Sequence, residues 1–150
     1  MPQSHTEIWI HLIWSTKNKQ PQISPEWKWK LFDEFKRIAM EKEYHLDYIN
    51  SMPDHIHLLI KLHPSQALSD IVKNFKGITY HWINNNNVSD EHFNWQDGYG
   101  AFSVSPQNIN KVRNYIKNQE LHHTTTTYDD EITILTQKSK AGNKNNTNQK

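Results

Sequence analysis

The segment that most restricts the fold runs from residue 45 to residue 62, HLDYINSM-PD-HIHLLIKL, where two strand-like stretches flank a Pro53-Asp54 turn. Side chains alternate faces along a strand. Ile56, Leu58, Ile60 and Leu62 therefore share one surface, while His55, His57, Leu59 and Lys61 share the other. Such a hairpin needs further strands beside it and a layer over its apolar face. TEIWIHLIWST, residues 6–16, supplies one strand, with Ile8, Ile10, Leu12 and Trp14 opposite Trp9, His11 and Ile13. Tyr99–Ser105 reads as a fourth.

Helical spacing fills the intervals. Ser24-Pro25 marks an N-terminus ahead of a stripe of Trp27, Leu31, Phe35 and Ile38, running to about Glu43. Ser65 precedes a second stripe, Leu68, Ile71, Val72, Phe75, Ile78 and Trp82, which stops at the run Asn84–Asn87. Residues 88–98 read as a loop, and Ser105-Pro106 opens a third helix over about 106–122 with Ile109, Val112 and Ile116 buried. The order β-α-β-β-α-β-α predicts an α+β, ferredoxin-like antiparallel sheet with two helices on one face and an extra C-terminal helix. Residues 1–123 would form this domain. Residues 124–150, rich in Thr, Asn and Lys with Ile132–Leu135 as the one apolar island, would be a flexible polar tail.

Absence of cysteine excludes disulfides, thiolate metal sites and a Cys nucleophile. No apolar run approaches the roughly 18 residues of a membrane span, and the first residues lack the pattern of a signal peptide. A soluble, cytoplasmic protein is expected. The formal charge is +1, but four of the 17 basic residues lie beyond 137, leaving 13 basic against 16 acidic before it. A body of that balance has no broad surface with which to grip duplex DNA.

Two histidines at i and i+2 can direct both imidazoles at one divalent ion, or can simply be polar residues on a solvated strand face. In the third helix Tyr115 and Gln119 lie one turn apart at the edge of the buried stripe, presenting a phenol and a carboxamide together. An amphipathic tyrosine beside a boundary glutamine is the simpler account of that pair.

In combination, MPDHIHLLI, YGAFSVS and VRNYIKNQELHH, with HLIWSTKNKQP near the start, resemble the single-tyrosine HUH transposases of the insertion sequence 200/605 family over about residues 5–123. The resemblance implies a DNA transposase that cleaves and rejoins single-stranded DNA at mobile-element ends through a 5′-phosphotyrosine. It matches Tyr115 to the nucleophile and His55, His57 and Gln119 to the ligands of a divalent metal, Mg²⁺ or Mn²⁺, which suits their mixed nitrogen and oxygen donors. It further implies DNA hairpins as substrate and a homodimer in which the Tyr115 helix of one subunit completes the partner's site. Lys17, Lys19, Lys73, Lys76 and Arg113, with Lys117, are candidate phosphate contacts or ordinary surface charges. His122 and His123 would suit a helix C-terminus. A non-catalytic, domesticated single-strand-binding protein of the same fold and a water-using metal hydrolase are the competing readings.

Overall fold

A computed structural model describes residues 4–119 and 127–147. Four strands form one antiparallel sheet in the order β2-β3-β1-β4: β1 (Trp9–Ser15), β2 (His45–Met52), β3 (His55–Lys61) and β4 (Gly100–Val104). The continuous apolar character of β1 and β3 follows from their central places, where both faces are covered. This is the ferredoxin-like arrangement expected from the element order.

One face carries the main core. Leu12, Trp14, Ile56, Leu58 and Ile60 pack beneath α1 (Lys28–Lys42) and α2 (Leu68–Asn85), which contribute Leu31, Phe35, Ile38, Ile71, Val72 and Phe75. α1 begins after the Ser24-Pro25 turn, Ser24 accepting from the Trp27 and Lys28 amides, and ends with Glu43 in the left-handed region at φ 59°. The loop before β4 is tied into this core by Phe93 and Trp95, whose indole donates to Thr79 at 3.0 Å.

The opposite face is covered differently. Pro106–Asn108 is a turn of 3-10 helix, so the third helix, α3 (Ile109–Lys117), begins later than expected and packs Ile116 against Trp9, Leu59 and Val104, the expected end near residue 122 lying outside the described residues. Two polar contacts fix it to the edge strand. Arg113 forms a bidentate pair with Asp47 at 2.7 and 2.6 Å, and Asn50 donates to the Ile116 carbonyl at 2.8 Å. Asp47 sits where a register irregularity between Leu46 and Tyr48 interrupts β2.

The expectation of a flexible tail from residue 124 does not hold for its described part. Tyr128–Thr147 forms a helix, α4, that docks on the same sheet face. Thr127 and Asp130 cap each other reciprocally, the Thr127 amide reaching Asp130 at 3.1 Å and the Asp130 amide reaching the Thr127 hydroxyl at 3.2 Å. Tyr128, Glu131, Ile132 and Leu135 then form its covered stripe. Gly100 admits this helix. A Cβ there would meet Ile13 Cγ2 at 2.8 Å and Ile132 Cδ1 at 3.0 Å.

Candidate active site

The β1–β3 register sets His57 beside Ile13 and His55 beside Ser15, so both imidazoles emerge on the face shared by α3 and α4. Neither is solvated. Each is fully buried, which removes the reading of two exposed strand-face histidines. Their ring centroids lie 5.1 Å apart.

Each ring is held through its Nδ1. His55 Nδ1 lies 2.7 Å from Asp54 Oδ1, the carboxylate of the turn that precedes it. His57 Nδ1 lies 2.8 Å from Nε2 of His11, a buried residue of β1. The two Nε2 atoms converge on Glu131 of α4, whose Oε2 is 2.7 Å from His57 and 3.7 Å from His55. One ligand-type atom from each of His55, His57 and Glu131 can be chosen so that all lie within 4.8 Å of one another. Two imidazole nitrogens oriented by hydrogen bonds, with a buried carboxylate, fit a small divalent cation of the Mg²⁺, Mn²⁺ or Zn²⁺ class.

Tyr115 reaches the same place from α3. Its ring centroid is 5.9 Å from that of His57 and 6.0 Å from that of His11, in edge-on packing. Its phenol feels both Gln119 and the charge of Glu131. Gln119 is fully buried, and its amide donates to the Tyr115 carbonyl at 3.0 Å. Thus the structure brings together, in the single chain it describes, all four residues singled out from the sequence.

Glu131 is the residue that sequence reasoning missed. Its signal was present in the Thr127-x-x-Asp130 cap and in the 128, 131, 132, 135 spacing, but the surrounding Thr, Asn and Lys content hid it. Tyr128 of the same helix also borders the site. Its ring lies 5.4 Å from that of His55, and its hydroxyl donates to Gln96 Oε1 at 2.7 Å, the same oxygen that accepts the Ser15 amide at 2.6 Å.

Electrostatics follow from burial and proximity. Burial, then the nearby Glu131 charge, pushes the Tyr115 phenol up to about 12, with Gln119 opposing the shift. Burial, then Asp129, likewise pushes Tyr128 up to about 12. Burial beside His57 lowers His11 to about 3, so it is neutral. Burial alone would raise Glu131, but hydrogen bonds and charge from His55 and His57 hold it far below the usual carboxylate range. For His55, burial is outweighed by Asp54 and Glu131, and its pKa is raised.

The candidate phosphate contacts divide. Lys17 and Lys19 are exposed in the 3-10 turn Lys17–Lys19 after β1, Lys19 pairing with Asp129, and Lys73 is exposed on α2. Lys76 instead donates to the Gln96 and Gly98 carbonyls at 2.9 and 2.7 Å, and its pKa is lowered by burial. Arg113 is committed to Asp47. Those two stabilise loops and helices in this structure. His122 and His123 lie outside the described residues.

Among the described residues no helix is long and apolar enough to cross a membrane. The chain is 28% identical over 118 residues to the ISDra2 transposase TnpA of Deinococcus radiodurans, covering 75% of this chain and 84% of that protein. The crystal structure of a protein from Deinococcus radiodurans R1 assigned as a transposase aligns with a TM-score of 0.63 and 26% identity, over 79% of this chain and 98% of that one. A REP-associated tyrosine transposase, solved bound to a REP hairpin, shares the fold with a TM-score of 0.61 at 13% identity, over 82% and 74% of the two chains. The family described as transposase, IS200-like, matches residues 4–119, spanning every strand, the His55-His57 pair, Tyr115 and Gln119, and the chain belongs to that family of transposases.

Proposed function

We propose that this transposase cuts and rejoins single-stranded DNA with Tyr115 as nucleophile, at a site where His55 and His57 hold a divalent cation and Glu131 or Gln119 adds an oxygen. The observation that carries this reading is the shared compartment: the Tyr115 ring packs edge-on against His57 at 5.9 Å, and His57 Nε2 in turn meets the Glu131 carboxylate at 2.7 Å. A divalent cation bound there would polarise the scissile phosphate and favour in-line displacement. In that displacement a bond forms between Tyr115 Oη and phosphorus, and the bond from phosphorus to the 3′ oxygen breaks. The products are a free 3′-hydroxyl and a 5′-phosphotyrosine that keeps the phosphodiester available for rejoining.

The residues around the site prepare this step. Asp54 and His11 orient the two imidazoles through Nδ1, and Asn50 and Arg113 hold α3 so that Tyr115 overhangs His57. With a pKa near 12, Tyr115 is a neutral phenol at physiological pH and must lose its proton as it attacks. The departing 3′ oxygen takes up a proton as the phenol loses its own, so the step balances while Glu131 remains the charged carboxylate that its histidine partners hold. Exposed Lys17, Lys19 and Lys73 are phosphate contacts in this reading. Hairpin-forming single strands are the proposed substrate, in keeping with the hairpin held by the structural relative and with the modest charge of the body.

Incubation with Mn²⁺ and single-stranded DNA carrying the element's hairpin ends, followed by denaturing electrophoresis, tests the reading. Wild-type protein should give a covalent adduct and a free 3′-hydroxyl. Tyr115→Phe should give neither, at a cost of about 1 kcal/mol for the lost hydroxyl hydrogen bonding. A second reading, hydrolysis by water activated beside Glu131, is favoured by the carboxylate's position at the histidines. Cleavage by Tyr115→Phe with a free 5′-phosphate would establish it in place of the first.

A further inference from the structure

We infer that His11 is a positioning residue for the metal centre: its Nε2 accepts the proton of His57 Nδ1 and so fixes the His57 tautomer that offers Nε2 to the cation. This rests on the metal reading above and adds to it a role for a residue of β1 whose side chain belongs to neither the nucleophile helix nor the His55-His57 pair.

The geometry is specific. A neutral imidazole has one protonated and one unprotonated nitrogen, so it can ligate through Nε2 only when Nδ1 carries the hydrogen. That hydrogen, in a residue with no solvent exposure, requires an acceptor. The atom facing His57 Nδ1 at 2.8 Å is His11 Nε2. The ring planes are inclined by only 29° with centroids 5.1 Å apart, so the two nitrogens lie on the line between the rings and the hydrogen bond runs close to both ring planes, which fixes the direction of His57. His11 therefore acts on direction as well as on tautomer.

The chemistry of the acceptor fits its location. His55 has a carboxylate in the equivalent role, Asp54, whose side chain is 32% exposed and can remain solvated as an anion. His11 is only 2% exposed. A carboxylate at position 11 would add a second negative charge to a dry compartment that already holds Glu131, whereas a neutral imidazole gives the same hydrogen bond with no net charge. A core residue present only to fill space would not need a nitrogen aimed at its neighbour. Leucine, which fills the adjacent positions Leu12 and Leu59, would serve.

The test uses the full chain, labelled with ¹⁵N and loaded with Mg²⁺. Long-range proton–nitrogen correlation of the imidazoles at pH 7.5 should find His57 protonated at Nδ1 and His11 unprotonated at Nε2. Mn²⁺ titration followed by electron paramagnetic resonance should show His11→Leu binding the ion about 10–100-fold more weakly than wild type. His11→Gln, whose terminal amide oxygen takes the place of Nε2, should recover most of that loss. Wild-type Mn²⁺ affinity in His11→Leu overturns the inference while leaving the metal site standing, whereas a His57 proton on Nε2 in the Mg²⁺-loaded protein overturns the inference and also removes His57 Nε2 as a ligand. Failure of wild-type protein to bind Mn²⁺ at all removes both. Should His11→Leu fail to fold, the wild-type tautomer and the His11→Gln affinity decide the matter.

Discussion

Gly100→Ala should weaken the fold by acting on the seat of α4. The added methyl would stand 2.8 Å from Ile13 Cγ2, 3.0 Å from Ile132 Cδ1 and 3.1 Å from Phe102 Cε2. Ile13 cannot yield, because it is fully buried in a central strand and its β-branched side chain has little rotamer freedom. Ile132 is only partly buried and belongs to a helix with few anchors, so the strain is relieved by moving α4 and drawing Glu131 away from His57. Overpacking of this kind costs about 1–3 kcal/mol, offset by about 0.4–1 kcal/mol because alanine restricts the unfolded chain and Gly100 has no positive φ. The net loss is then about 1–2 kcal/mol, or a fall of a few degrees in Tm for a chain of this size. Urea unfolding of Gly100→Ala, Ile132→Ala and the double variant forms the assay. The clash predicts that the double variant is more stable than the sum of the singles by at least about 0.5 kcal/mol. Strict additivity, or wild-type stability of Gly100→Ala, would refute the packing account of α4.

Replacing Glu131 by Gln and, separately, Gln119 by Ala decides which of them supplies the third donor: Mn²⁺ affinity measured by calorimetry should fall at least tenfold in the first and less in the second, and the reverse order would assign the role to Gln119. In metal-free protein held with a chelator, stability should peak near pH 6.5. The raised pKa of His55 gives a contribution complete below 6.5 and lost as pH rises through its folded value, while His11, depressed to about 3, makes stability fall as pH drops below 6.5. A flat urea-unfolding profile from pH 5 to 8 would contradict those signs. A mixture of Tyr115→Phe and His57→Ala chains should stay inactive if each chain builds its own site as seen here, whereas recovered adduct formation would report exchange of the Tyr115 helix between subunits.

What could be read from the sequence was whatever depends on local period. Alternation in residues 6–16 and 55–62 determines which side chains share a sheet face, and a helix stripe determines that Tyr115 and Gln119 travel together. Element order gives the sheet, whereas the meeting of the histidine face with the Tyr115 helix was an expectation of the family resemblance, and the structure has Tyr115 packed against His57. Partner choice between distant residues has no such period. Nothing in the local sequence tells that Arg113 will find Asp47 at a strand irregularity or that Lys76 will close the loop at Gln96 and Gly98, and so both were counted with the exposed lysines. Glu131 illustrates the third case. Its helix carries a narrow apolar stripe, too weak to stand out against a polar stretch, and is positioned by contacts that act singly: Gly100 leaves space, Gln96 receives Tyr128, and the two buried imidazoles receive the carboxylate. A buried carboxylate is costly without partners and stable with them, so the histidines that ask for a ligand also determine where this otherwise polar segment comes to rest.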